Sequence, residues 1–181
     1  MNLDALFALL IDARKRSGHN DYVVIGSLSI LGLEDAFDIP EDMTLSNDVD
    51  CYTRDDPDRT FDLVAALGEN SAWHQDHGYF LDAVSPALPT LPEGWQTRLI
   101  PLCRDGLTAW FLDPNDAAIS KYARGEPRDR RWIRAGIRSG VVSLPLVRFR
   151  LRSVTFLDDE ESGRARRLME EDEAWRAAAS S

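Results

Sequence analysis

Ser46-Asn47-Asp48-Val49-Asp50-Cys51-Tyr52 is the stretch whose reading decides the fold. Successive side chains of a strand alternate between faces, so Asp48, Asp50 and Tyr52 share one side and Val49 and Cys51 the other. Two carboxylates held that close repel unless a cation neutralises them. Ligands that are all oxygen favour Mg²⁺, or Mn²⁺, over softer metals, and Mg²⁺ commonly keeps waters and substrate phosphates in its shell. Upstream, Val23-Val24-Ile25-Gly26-Ser27 runs from an apolar strand into a small-residue turn. Gly26 and Ser27 there allow backbone N–H groups to approach a phosphate without Cβ interference. Together these stretches predict a site for a metal-bound nucleoside triphosphate.

Around this centre the pattern alternates between helix and strand. Leu3, Leu6, Phe7, Leu10 and Ile11 recur at helical spacing and predict an amphipathic helix over 2–16, stopped before Gly18. Residues 22–25 predict a buried strand, 27–33 a helix, 34–46 an irregular acidic loop and 48–53 the second strand. Asp56-Pro57 opens a helix running to Leu67 and ended by Gly68. Residues 78–84 predict a third strand, followed by a loop carrying Pro86, Pro89 and Pro92. Residues 95–102 and 107–112 predict two more strands, joined by the hairpin-type turn Arg104-Asp105-Gly106. Beyond Asp113-Pro114 the chain turns helical over 116–124 and 128–138, is ambiguous over 144–152, and forms a strongly charged helix over 158–179, solvated on one face. The expected class is α+β (α/β-like), a small mixed sheet with flanking helices. Its division is a core over 1–112 and a helical C-terminal part over 113–181 packed on it as a single compact unit.

Asp82 is the third carboxylate of interest, because it interrupts the apolar run Phe80-Leu81-Asp82-Ala83-Val84. A charge there is expensive unless paired, hydrogen-bonded or metal-bound. The plain alternative is an edge-strand Asp facing water.

Gly26-Ser27, then Asp48-Val49-Asp50, then Asp82 resembles the signature of the nucleotidyltransferase superfamily, which has the DNA polymerase beta-like fold. The wider string is more specific: residues 25–32, Ser46-x-Asp48-x-Asp50, residues 77–84, Leu91-Pro92-x-Gly94-Trp95-x-x-Arg98 and Leu112-Asp113-x-x-Asp116-x-x-x-x-Lys121. It resembles an uncharacterised bacterial branch related to the nucleotidyltransferase toxins of toxin–antitoxin systems, over roughly 22–150. The resemblance implies a metal-dependent enzyme moving a nucleoside monophosphate from an NTP to an RNA (tRNA) or protein hydroxyl, with a toxin-like activity and a cognate antitoxin among its implications. It implies that Gly26 and Ser27 hold phosphates and that Asp48, Asp50 and Asp82 bind metal, with Asp82 also serving as general base. The resemblance likewise implies that Lys121 neutralises triphosphate charge and that Arg128 and Asp129 line the same cleft. The chain departs from the branch at Asp48, where Glu is common, and at Glu126-Pro127-Arg128-Asp129, where a proline enters the charged run. The alternative is a catalytically silent nucleotide- or partner-binding module of the same fold.

Bulk properties narrow the class. A chain of 181 residues with 44% hydrophobic content can build a full core. A net charge of −10 argues against loose, sequence-independent nucleic-acid binding. Arg128, Arg130, Arg131, Arg134 and Arg138 nevertheless form a local basic run, read first as a solvated helix face and second as an RNA track. Cys51 and Cys103 lack zinc or dithiol spacing and each reads as a buried thiol. Met1-Asn2-Leu3-Asp4 has no secretory pattern, and no apolar run is long enough to span a bilayer, so the expectation is a soluble cytoplasmic protein without membrane partners. Trp73, Trp95, Trp110 and Trp132 read as packing residues, and His77 as a loop histidine with a local hydrogen bond.

Overall fold

A computed structural model of the chain describes residues 1–34 and 36–179. Asp35, within the loop expected over 34–46, and residues 180–181 lie outside the described residues. Helix α1 (Leu3–Ser17) starts at Asn2, whose side chain accepts from the Ala5 amide at 2.9 Å. Strand β1 (Asp21–Val24) follows, then a 3₁₀ helix over Ser27–Leu33 where a regular helix was expected. Strand β2 is Asp48–Thr53. The Pro57-led helix begins as 3₁₀ (Pro57–Leu63) and widens into α2 (Val64–Leu67).

Helix α3 (Ala72–His77) is a short element with no sequence expectation, capped by Ser71, which accepts from the His74 amide. His77 is therefore a helix-end residue, with Nδ1 3.0 Å from the Trp73 carbonyl and its ring stacked on Trp73. Strand β3 is Phe80–Ala83.

The strand expected over 95–102 is corrected. Trp95–Arg98 is a 3₁₀ turn, launched by Gly94 in a left-handed conformation at φ 73°, and only Ile100–Arg104 forms β4. Pro101 is accommodated because β4 is an edge strand, where a missing N–H leaves no ladder bond unmade. The turn to β5 (Leu107–Phe111) has Asp105 at φ 50° and Gly106 at φ 76°, the paired positive angles of a tight hairpin. Helices α4 (Pro114–Arg124), α5 (Pro127–Ser139), α6 (Leu144–Arg150) and α7 (Asp159–Ala178) complete the chain. The ambiguous 144–152 segment is thus helical.

The sheet runs β3-β2-β1-β5-β4. β1 pairs antiparallel with β2 and parallel with β5, β2 pairs parallel with β3, and β4 pairs antiparallel with β5. The fold is a mixed sheet with flanking helices and a helical C-terminal part. Alternation along the strands divides the core in two. Val24, Val49, Cys51, Leu81 and Phe111 pack with Leu6, Phe7 and Leu10 of α1. Val23, Ile25, Tyr52, Val84 and Leu112 pack with Ile119 and Tyr122 of α4 and Trp132 and Ile133 of α5. Asp48 and Asp50 have the parity of Tyr52, so they emerge on the side covered by the C-terminal helices.

Helix α7 is mixed in charge but anchored. Asp172 is fully buried and accepts from Tyr122 Oη at 3.1 Å, Arg130 Nε at 3.2 Å and Arg134 Nε at 2.8 Å. Its carboxylate ties α7 to both α4 and α5.

Candidate active site

The parallel register between β2 and β3 sets Asp50 directly opposite Asp82, and Asp48 opposite Phe80. Side-chain period then brings three carboxylates to one end of one face. One carboxylate oxygen of each lies within 4.8 Å of the others. β3 is an edge strand and Asp82 is exposed, as an edge-strand Asp facing water would be, and its carboxylate converges on the Asp48–Asp50 pair. Asp48 accepts a hydrogen bond from Ser46 Oγ. Among the described residues, no side chain forms a hydrogen bond or ion pair with Asp50. Burial, followed by the charges of Asp48 and Asp82, pushes the Asp50 carboxyl up to about 7. Burial and the charges of Asp48 and Glu69 also raise Asp82. A charge centre this frustrated, built only of carboxylate oxygens, fits a hard divalent cation.

Gly26 is what lets Asp50 sit there. A Cβ on Gly26 would lie 1.8 Å from Asp50 Oδ2. Its backbone, at φ 68° and ψ −153°, also occupies a region essentially reserved for glycine. Next to it, Ser27 Oγ accepts from Lys121 Nζ at 2.9 Å.

Lys121 is not the surface lysine its helical position permitted; it is 4% exposed. Its ammonium lies 3.5 Å from Asp129 Oδ1 and 4.8 Å from the centre of the Trp132 ring. Burial lowers it to about 8, against the opposing pull of Asp129. Trp132 itself donates to the carbonyls of Ser27 and Met43, fixing the glycine–serine turn against α5.

The two residues carried from the charged run separate. Arg128 is exposed, pairs with Glu126 at 2.7 Å and lines the cleft. Asp129 is buried beneath the surface. It accepts from Arg124 Nε at 2.8 Å, from the Glu126 amide at 3.2 Å and from Lys121. Burial by itself raises Asp129, but the Arg124 hydrogen bonds and the neighbouring cations bring it below the usual carboxylate range. Asp129 therefore holds Lys121 and Arg124 in place rather than facing the opening.

The cleft has two lobes that meet at Gly26, Asp50, Val84, Leu88 and Arg124. One, about 480 Å³, contains all three carboxylates with Ser27, Arg128 and Arg131. The other, about 360 Å³, is walled by apolar side chains and reaches Lys121, Ser120, Thr90 and Glu161.

The model of a family described as nucleotidyltransferase of unknown function (DUF6036) matches residues 4–179. The chain belongs to that family. Searches of curated proteins and of solved structures each found no match. Some cleft residues of this nucleotidyltransferase family member were not singled out in the sequence. Arg124 had a signal, since Ala117, Ser120, Lys121 and Arg124 follow the i, i+3, i+4, i+7 spacing of one helix face. Arg131 stood only in the basic run, one helical turn from Arg128, whereas Leu88 and Glu161 had no signal because they reach the cleft from distant segments. Among the described residues, no helix is long and apolar enough to cross a membrane.

Proposed function

We propose that the protein is a divalent-metal-dependent enzyme that moves a nucleoside monophosphate from an NTP to a hydroxyl of an RNA, such as tRNA, or of a protein, acting in a toxin-like role checked by a cognate antitoxin. The observation that carries the reading is the convergence of Asp48, Asp50 and Asp82 within 4.8 Å, beside a turn whose glycine admits the Asp50 carboxylate. Asp48, Asp50 and Asp82 are the residues that would hold Mg²⁺ or Mn²⁺. When bound, such an ion supplies positive charge to phosphate oxygens and to the attacking oxygen.

The chain's own groups divide the remaining work. Gly26 and Ser27 bind phosphate through backbone N–H and hydroxyl. Lys121 and Arg124 offset triphosphate charge and stabilise the leaving pyrophosphate. Arg128 lines the approach to the carboxylates. The acceptor hydroxyl oxygen forms a bond to the α-phosphorus as the bond from that phosphorus to the bridging oxygen breaks, and pyrophosphate departs. Asp82, the most exposed of the three and raised in pKa, takes the hydroxyl proton. Residues 1–112 and 113–181 act as one unit in this scheme, since the triphosphate groups come from both.

The test is incubation with each α-labelled NTP, Mg²⁺ and cell extract, followed by separation of RNA and protein. The wild type labels an acceptor and Asp50→Ala does not. Identical labelling by the two proteins across all four nucleotides overturns the reading. A Mg²⁺-dependent melting shift with nucleotide, but transfer to no acceptor, favours the silent binding module.

A further inference from the structure

We infer, resting on the nucleotidyltransferase reading above, that the apolar lobe of the cleft receives the nucleoside of the triphosphate and that Glu161 selects its base, favouring guanine. The lobe is walled by Ile25, Val84, Leu112 and Ala117, and at one end it reaches Asp50 and Lys121. Apolar walls with a few placed polar groups are what a flat base requires. At about 360 Å³ the space sits near the lower end of ligand sites, which suits a base with its sugar. The phosphates are left to the polar side, where Lys121 and Ser27 meet.

Besides Asp50, Glu161 is the lobe's only acidic side chain among the described residues. It is fixed from two directions. Oε1 accepts from Thr90 Oγ1 at 2.8 Å and Oε2 accepts from the Leu157 amide at 2.7 Å. Each oxygen retains a lone pair, and an ionised carboxylate can only accept. A base is therefore favoured in proportion to the N–H groups it presents side by side. Guanine offers N1–H and the N2 amino group as adjacent donors, which matches a carboxylate bidentately. Adenine, cytosine and uracil each place a ring-nitrogen lone pair or a carbonyl beside their donor, and that lone pair meets the negative charge. Nothing in the nucleotidyltransferase reading itself requires this preference.

The test uses the full-length protein with Mg²⁺ and measures dissociation constants for GTP, ATP, CTP, UTP and inorganic tripolyphosphate. GTP is expected to bind at least about tenfold more tightly than the other three, the value of one charge-assisted hydrogen bond. Glu161→Gln should erase that margin. A separate variant, Ser120→Leu, fills the lobe from α4. It should weaken every NTP while leaving tripolyphosphate binding unchanged, which also shows that it has folded. Equal affinity for the four nucleotides overturns base selection by Glu161, as does any preference that Glu161→Gln leaves intact. Full NTP affinity in Ser120→Leu shows that the nucleoside lies elsewhere. If neither NTP nor tripolyphosphate binds with Mg²⁺, the nucleotidyltransferase reading itself fails and this inference falls with it.

Discussion

Gly26→Ala separates the cost of folding from the cost to chemistry. The added methyl would sit 1.8 Å from Asp50 Oδ2 and 2.8 Å from its Cγ, against the 3.0 Å that Cβ atoms keep from their neighbours. Asp50 presents the end of its side chain, so the carboxylate can swing away and relieve the overlap. The stability loss is then mainly the glycine-only backbone conformation, about 1–3 kcal/mol. For a domain of this size that lowers Tm by about 2–12 °C. The displaced carboxylate moves more than 1 Å from its partners, and misplacement on that scale costs about a hundredfold in rate. Thermal melts and transfer of α-labelled nucleotide, measured on one preparation, should therefore show a modest fall in Tm and a transfer rate lower by two orders of magnitude. A variant that melts a few degrees lower but transfers at the wild-type rate refutes the reasoning, because it shows that the Asp50 position is not critical.

Two further outcomes follow from charge burial. Asp50 titrates near 7 in the folded chain but near 3.8 when unfolded, so the folded state holds a proton that the unfolded state has already released. Its contribution to stability is complete below pH 3.8 and is lost as pH climbs through about 7. Metal-free protein should accordingly lose Tm between about pH 4 and 7 and level off above that, with Mg²⁺ restoring most at the alkaline end, and Asp50→Asn should remove this part of the slope; parallel pH profiles for the two proteins count against it. Asp172→Ala leaves buried Tyr122 and the half-buried Arg130 and Arg134 without their shared acceptor and should cost about 1–3 kcal/mol in urea unfolding. A loss under about 1 kcal/mol would show that α7 is held by its apolar contacts alone.

The legible parts of the site were those encoded by local period. Asp48 and Asp50 had to share a face once their strand was recognised, and Asp82 was conspicuous because charge interrupts an apolar run. The register that sets Asp82 against Asp50 is a long-range property, and no spacing within either strand states it. Residues 95–102 misled because Trp, Thr, Leu and Ile favour strands, whereas the left-handed Gly94 and one 3₁₀ turn delay β4 to Ile100. Lys121 was marked by the resemblance alone, since nothing local sets it apart from a surface lysine on a helix. Its burial depends on Trp132 and Asp129 of the next helix. Arg98, Asp113 and Asp116, part of the string that carried the resemblance, make structural contacts: buried Asp116 accepts from Arg98 at 2.8 Å and from Arg150 at 2.9 Å. Glu161 stayed invisible because the short bonds that orient it come from Thr90 and Leu157.

The anchoring of α7 through Asp172, with Glu161 one face of the cleft away, has a consequence for synthesis. A nascent chain leaving the ribosome exposes its sheet and its three carboxylates long before residues 159–178 emerge. Until α7 docks, one wall is missing and the half-buried Arg130 and Arg134 lack their acceptor. Under the proposed function, a complete cleft would therefore wait on residues 159–178, because a nascent chain without them lacks both the Glu161 wall and the Asp172 anchor.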